Sequence, residues 1–102
     1  MNTNNFTWLN KQGVRSDAGF EVQFIERFCV EYREANRTMS IECEPGMSNG
    51  EPCTLISPDC FTKWDDMPDS TALSPDEQKR IEENFREAME FQGVPVLAQY
   101  PE

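Results

Sequence analysis

Strict alternation is the feature that most constrains this chain. Between residues 20 and 32, Phe20, Val22, Phe24, Phe28, Val30 and Tyr32 occupy even positions, with Glu21, Gln23, Arg27 and Glu31 between them and Ile25 as the exception. Successive strand side chains point to opposite faces, so this spacing predicts strand with one face buried. Residues 38 to 44 switch parity: Met39, Ile41 and Cys43 are apolar, while Thr38, Ser40, Glu42 and Glu44 are polar. A hairpin through Glu34-Ala35-Asn36-Arg37 explains the switch. Pairing Arg33 with Thr38 sets Tyr32 opposite Met39, Val30 opposite Ile41 and Phe28 opposite Cys43. Residues 20–33 read either as one long bent strand or as two strands turning at Glu26-Arg27, and the lack of a Gly or Asn for a tight turn there favours the first.

Turn chemistry at Ser16-Asp17-Ala18-Gly19 lets residues near Gln12 to Arg15 pair with the start of that strand. Pro45 to Pro52 and Asp65 to Ser74 read as loops, and Pro52 to Ile56 as a further short strand. Ser57-Pro58-Asp59 has the N-cap and first-turn proline of a short helix running to about Trp64. The clearest helix opens at Ser74-Pro75-Asp76-Glu77, where Ser74 caps and Glu77 completes a capping box. Ile81, Phe85, Ala88 and Met89 form its buried stripe, Gly93 ends it, and Val94 to Ala98 return as a last strand despite Pro95. The expected fold is α+β: an antiparallel meander of about four or five strands with one short and one long helix packed on one face.

At 102 residues the chain fits a single domain spanning 1–102, with residues 1–7 expected as a flexible N-terminus. Met1 to Asn5 lack the basic start and apolar core of a secretory signal, and no apolar run approaches the roughly 18 residues of a membrane span. The cytoplasm is the expected location. Cys29, Cys43, Cys53 and Cys60 are accordingly read as free, core-lining thiols, not disulfides.

Nineteen acidic against nine basic residues leave a net charge of −10. That exceeds the roughly 2 to 8 charges that solubility needs. Such a surface repels nucleic acid and anionic membranes and speeds encounter with a basic partner.

Catalytic chemistry has little to stand on. There is no histidine, which removes the usual general base near neutral pH, every Ser-His or Cys-His pairing and the commonest metal ligand. The cysteines have no C-x-x-C spacing, Asp65-Asp66-Met67-Pro68-Asp69 is not a calcium loop, and no phosphate-binding glycine motif is present. The chain is therefore read as a binding protein with no catalytic, metal or cofactor residues. A carboxylate-dependent enzyme would need two acids converging in a concave site with shifted pKa values.

Three regions are candidates for binding. The segment Trp64, Asp65, Asp66 and Asp69, followed by Asp76 and Glu77, sets an aromatic among acids, which suits a basic partner. The polar strand face carries Glu31 and Glu42 together with Glu21, Gln23, Arg27, Arg33 and Ser40. The outer face of the long helix carries Glu82, Glu83, Glu87 and Glu90, but Asp76 to Arg80 and Glu82 to Arg86 have the i, i+4 order that helix stability alone explains.

Taken together, Trp8-Leu9-Asn10, Gly13-Val14-Arg15, Gly19-Phe20-Glu21-Val22, Tyr32-Arg33-Glu34, the Ile41 to Glu44 strand and Ser57-Pro58-Asp59 followed by Trp64 resemble a family of small bacterial immunity proteins. These accompany polymorphic toxins and contact-dependent growth inhibition systems. The resemblance implies a cytoplasmic protein that binds the C-terminal toxin domain of its cognate effector, often a nuclease, and blocks its active site or substrate surface. It assigns no contact residue. The alternative is an acidic nucleic-acid mimic or adaptor that binds a basic host protein.

Overall fold

The computed structural model describes residues 5–26, 28–56, 60–66 and 73–98. Strands β1 (Phe6–Asn10), β2 (Gly13–Ser16), β3 (Phe20–Glu26), β4 (Cys29–Glu34), β5 (Arg37–Ser48) and β6 (Glu51–Ile56) follow one another antiparallel in sequence order. Helix α1 (Pro75–Phe91) and a short edge strand β7 (Val96–Ala98), parallel to β6, complete the fold. The sheet curls into a half-barrel, and α1 packs its Ile81, Phe85, Ala88 and Met89 stripe against it. The meander, the capped helix and its stripe are as expected. The α+β expectation of four or five strands with a short and a long helix is overturned: the structure is mostly antiparallel β with one helix. β1 adds a strand where a flexible terminus was expected, and three further differences have physical reasons.

First, residues 20–33 form two strands. β3 ends at Glu26, β4 starts at Cys29, and the two pair with a register shift between Phe24 and Glu26. Ile25, the exception to the alternation, lies within that irregularity and is exposed. Phe28, expected in the core, is 53% exposed at this open end of the sheet. Arg27 lies outside the described residues.

Second, the expected loop from Pro45 to Pro52 is instead the second half of β5, the Asn49-Gly50 turn and the start of β6. Both turn residues have positive φ, 52° and 83°, which suits the twist of a two-residue hairpin. The prolines fit because their missing donors face away from the pairing. Cys43 directs its N–H to the Phe28 carbonyl on the β4 side. By alternation Pro45 faces that side too, where β4 has already begun its turn to β3. Pro52 shares the parity of Thr54, whose N–H leaves β5 for the Pro95 carbonyl.

Third, residues 60–64 form a turn and coil instead of a helix, and Ser57-Pro58-Asp59 lie outside the described residues. Phe61 and Trp64 are buried, so this segment packs as a strap whose end runs along β5: the Asp65 N–H reaches the Thr38 carbonyl at 2.8 Å.

Three pairs of the predicted β4–β5 register hold, Tyr32 with Met39, Val30 with Ile41 and Arg33 with Thr38, while the fourth, Phe28 with Cys43, falls outside the ladder because β4 starts at Cys29. The turn between them, Ala35-Asn36, has φ of 53° and 64°. β1 begins at Phe6, inside the stretch expected to be flexible, where the Asp17 carboxylate accepts from the Asn5 N–H and side-chain amide.

Ser74 caps α1 by accepting the Glu77 N–H. Gly93, at φ 86°, closes it: its N–H and that of Val94 reach the Glu90 and Met89 carbonyls, a Schellman closure that satisfies the last turn. The helix stripe and the inner-facing Val14, Phe20, Val22, Val30, Tyr32, Met39 and Ile41 make one core. Each fully buried aliphatic or aromatic side chain there contributes about 1.5–3 kcal/mol relative to exposure.

A polar chain ties α1 to the sheet. Arg80 donates to the Glu34 carboxylate at 2.7 Å, the Tyr32 hydroxyl donates to the same oxygen at 2.6 Å, and Asn84 donates to that hydroxyl at 3.0 Å. Burial, reinforced by Glu34, raises the Tyr32 pKa well above the usual phenol range. At Glu34 burial acts upward, but Arg80 and Tyr32 outweigh it and hold the carboxyl below its ordinary 4.5.

The unfolded chain therefore takes up a proton at Glu34 before the folded one does as pH falls. The contribution of this carboxylate is complete above the ordinary value and disappears as pH drops through the lowered one. Urea denaturation of wild type and Glu34→Gln between about pH 6 and about pH 3 checks this. The stability gap between them should shrink toward the acid end, and a gap that does not vary with pH would show that Glu34 is not held ionised by the fold.

Candidate functional site

Because odd positions of β3 and β4 and even positions of β5 face away from α1, the outer sheet surface is polar. At its hairpin end the charges are balanced. Arg15 pairs with Glu21 at 2.9 Å, Arg33 lies 3.7 Å from Glu21, and Arg33 pairs with Glu31 at 2.6 Å, a ladder across β2, β3 and β4. A cleft of about 460 Å³ adjoins it, lined by Gly19, Glu21, Arg33 and the Glu34–Thr38 hairpin. Its Glu34 is committed to Arg80 and Tyr32, so this concavity does not bring two free carboxylates together.

Among the described residues the other end of the face is acidic. Cys29 stands opposite Glu26 on β3 and opposite Glu42 on β5. Glu31 follows two residues along β4, and Asp65 is bound to Ser40 opposite it, so four carboxylates share this end of the face; burial raises the Cys29 thiol pKa, and these four raise it further. Among the described residues Glu26 and Glu42 have no ion-pair partner. Carboxylates that flank Cys29 from β3 and β5 without a cation between them add nothing to folding, and they favour an external cation.

The fold thus gathers Glu31, Glu42 and Asp65 from the sequence candidates and separates the others. Trp64 is 3% exposed, stacked on Tyr32 at 6.1 Å beneath the Arg37 guanidinium, and is a core residue, not a surface anchor. Tyr32 gives it apolar cover that the acidic flanking sequence does not disclose. Asp66 is exposed beside the strap, and Asp69 lies outside the described residues. Asp76 and Glu77 occupy the first turn of α1, across the sheet from the outer face, where they complement the helix N-terminus. Glu26 was missed because it sits where the alternation breaks; its parity becomes legible only once the β3–β4 turn is known.

Asp65 has a structural task as well as a charge. Its carboxylate accepts the Ser40 N–H at 2.8 Å and the Ser40 hydroxyl at 2.7 Å, closing the part of β5 that β6 leaves open. Asp65→Ala should cost about 1 kcal/mol in urea denaturation by removing the hydrogen bonds that Asp65 accepts from Ser40, whereas Asp66→Ala should stay within about 0.5 kcal/mol. Equal effects would remove the strap from the account.

No helix among the described residues is long and apolar enough to cross a membrane. No protein-family model, curated protein or solved structure matches the chain.

Proposed function

We propose that this protein is an inhibitor of the immunity type: a cytoplasmic binding protein that neutralises a toxin domain, a basic nuclease, by covering its active site or phosphate-binding surface. The observation that carries the reading is the acidic end of the outer sheet face, where Glu26, Glu31, Glu42 and Asp65 surround Cys29 on a chain of net charge −10. Enzymes that grip phosphate backbones present basic grooves, and an acidic, preorganised surface meets such a groove with fast, steered association. The same charge opposes direct binding of nucleic acid, so the partner is a protein. The resemblance to immunity proteins supplies the toxin as the class of that partner.

The test is co-expression with the product of the gene immediately upstream. The reading predicts that this product arrests growth alone, that the present chain restores growth, and that the two purify as one complex. Absence of association at low ionic strength would reject it. Binding instead to a basic nucleic-acid-binding protein encoded elsewhere would replace the toxin with a host partner.

A further inference from the structure

We infer that the outer edge of β1, which pairs with no strand among the described residues, is a second docking site, which accepts an extended segment of another protein with alternating apolar and basic residues as an added strand. This goes beyond the function proposed above, since it rests on the edge strand and not on the outer face.

Main-chain direction is fixed on both sides of β2. The Asp17 N–H donates to the Asn5 carbonyl at 3.0 Å, and the Phe24 N–H donates to the Gln12 carbonyl at 2.9 Å. Pairs of an antiparallel ladder alternate between bonded and non-bonded, so Thr7 faces Arg15 in a bonded pair while Val14 turns to β3. Phe6 and Trp8 therefore turn their N–H and C=O groups outward, away from β2. Exposed edges are commonly guarded by charge, proline or a bulge. Phe6 to Asn10 carry no charge and no proline, and the one irregularity is the shift between Trp8 and Asn10.

The side chains beside this edge are apolar. Trp8 is 49% exposed and lies 5.6 Å from the ring of Phe91, itself 44% exposed, with Phe6 packed 5.2 Å from Phe91 behind them. An exposed aromatic cluster next to unpaired main-chain groups is the pattern of strand addition, in which the main chain supplies affinity and side-chain contacts supply choice.

Charge selects the occupant. The last turn of α1 contains no basic residue, and exposed Glu90 stands there just before Phe91. A helix C-terminus already carries partial negative charge and favours cations, so Glu90 adds to a negative field beside the aromatic wall. A second copy would bring the same helix end and another ten negative charges to the contact, which disfavours self-pairing. A basic, apolar strand satisfies the edge, the aromatics and the field together.

The test titrates the full chain with blocked hexapeptides of alternating lysine and valine or alternating glutamate and valine, following tryptophan emission at low salt. The lysine peptide should give a saturable blue shift below about 1 mM, absent from Trp8→Phe, with the glutamate peptide at least about tenfold weaker. Trp8→Pro removes an outward N–H without touching the β2 ladder, and Phe91→Arg reverses the field at the wall. Each should weaken the lysine peptide at least about tenfold while circular dichroism stays unchanged, with wild type and Trp8→Pro compared by calorimetric titration because that variant lacks the reporting indole. Absence of saturable binding, equal binding of both peptides, or indifference to Phe91→Arg would overturn the proposal. A dimer in sedimentation equilibrium that Trp8→Pro dissociates would overturn it too, by assigning the edge to a second copy.

Discussion

Truncating Phe85 to alanine is expected to cost about 3–5 kcal/mol of folding stability, a large share of what a domain of this size possesses. Phe85 is fully buried in the central stripe of α1 and meets Phe61 edge to face at 5.4 Å. Its ring therefore joins three things at once: the helix, the concave sheet and the strap that carries Trp64 and Asp65. Removing it leaves a void that α1 cannot close by shifting, because Arg80 is fixed to Glu34 at one end and the Arg86 guanidinium to the Val96 carbonyl at the other. Urea denaturation should show a lower midpoint with an unchanged slope. A loss below about 1 kcal/mol would mean that the helix is not the keystone of this core.

The second large effect concerns binding and should leave the fold intact. Glu26→Lys combined with Glu42→Lys reverses the two outer-face acids that have no ion-pair partner among the described residues, and it moves net charge from −10 to −6. Surface changes of this kind shift stability by roughly 0.5 kcal/mol at most, and here they relieve repulsion around Cys29. Affinity for the neutralised partner should nevertheless fall about a hundredfold or more, chiefly through slower association. Reversing Asp76 and Glu77, which change net charge by the same amount on the opposite side of the molecule, serves as the control and should cost much less. Equal losses would show that total charge matters and that its placement does not. Calorimetric titration with each double variant separates these outcomes.

The outer face, the β4–β5 register and the capped helix were legible in sequence because each rests on local periodicity or on capping chemistry. Tyr32, Met39, Val30 and Ile41 could face one another in only one way once parity was read. The β5–β6 hairpin was not read from sequence: Pro45 and Pro52 suggested a loop and outweighed the turn chemistry of Asn49-Gly50. What cleared those prolines for strand was which side each donor faces, a property of the assembled sheet. The break at Glu26 was hidden for a related reason: a register shift absorbs the turn, so the parity of Phe20 to Phe24 continues in Val30 and Tyr32 as if the strand were unbroken. Trp64 shows the opposite limit. Flanking acids suggested a surface aromatic, whereas a contact with Tyr32, thirty-two positions away in the chain, decides its burial.

Cys29 gives the site a built-in landmark, because its thiol feels Glu26, Glu31, Glu42 and Asp65 from three strands and the strap at once. A protein partner that brings cations to this point changes the environment of the thiol as well as the charge balance of the face. Both follow from one claim, that the acidic end of the outer sheet face is where the partner is held.

That claim is tested most directly by the dissociation constant for the upstream gene product, measured from about 50 mM to about 300 mM NaCl for wild type and for Glu26→Lys/Glu42→Lys. The account predicts that wild-type affinity falls at least about tenfold across this range and that the variant, already weak, responds with a clearly smaller slope. Parallel slopes for the two proteins, or a wild-type affinity indifferent to salt, would contradict it.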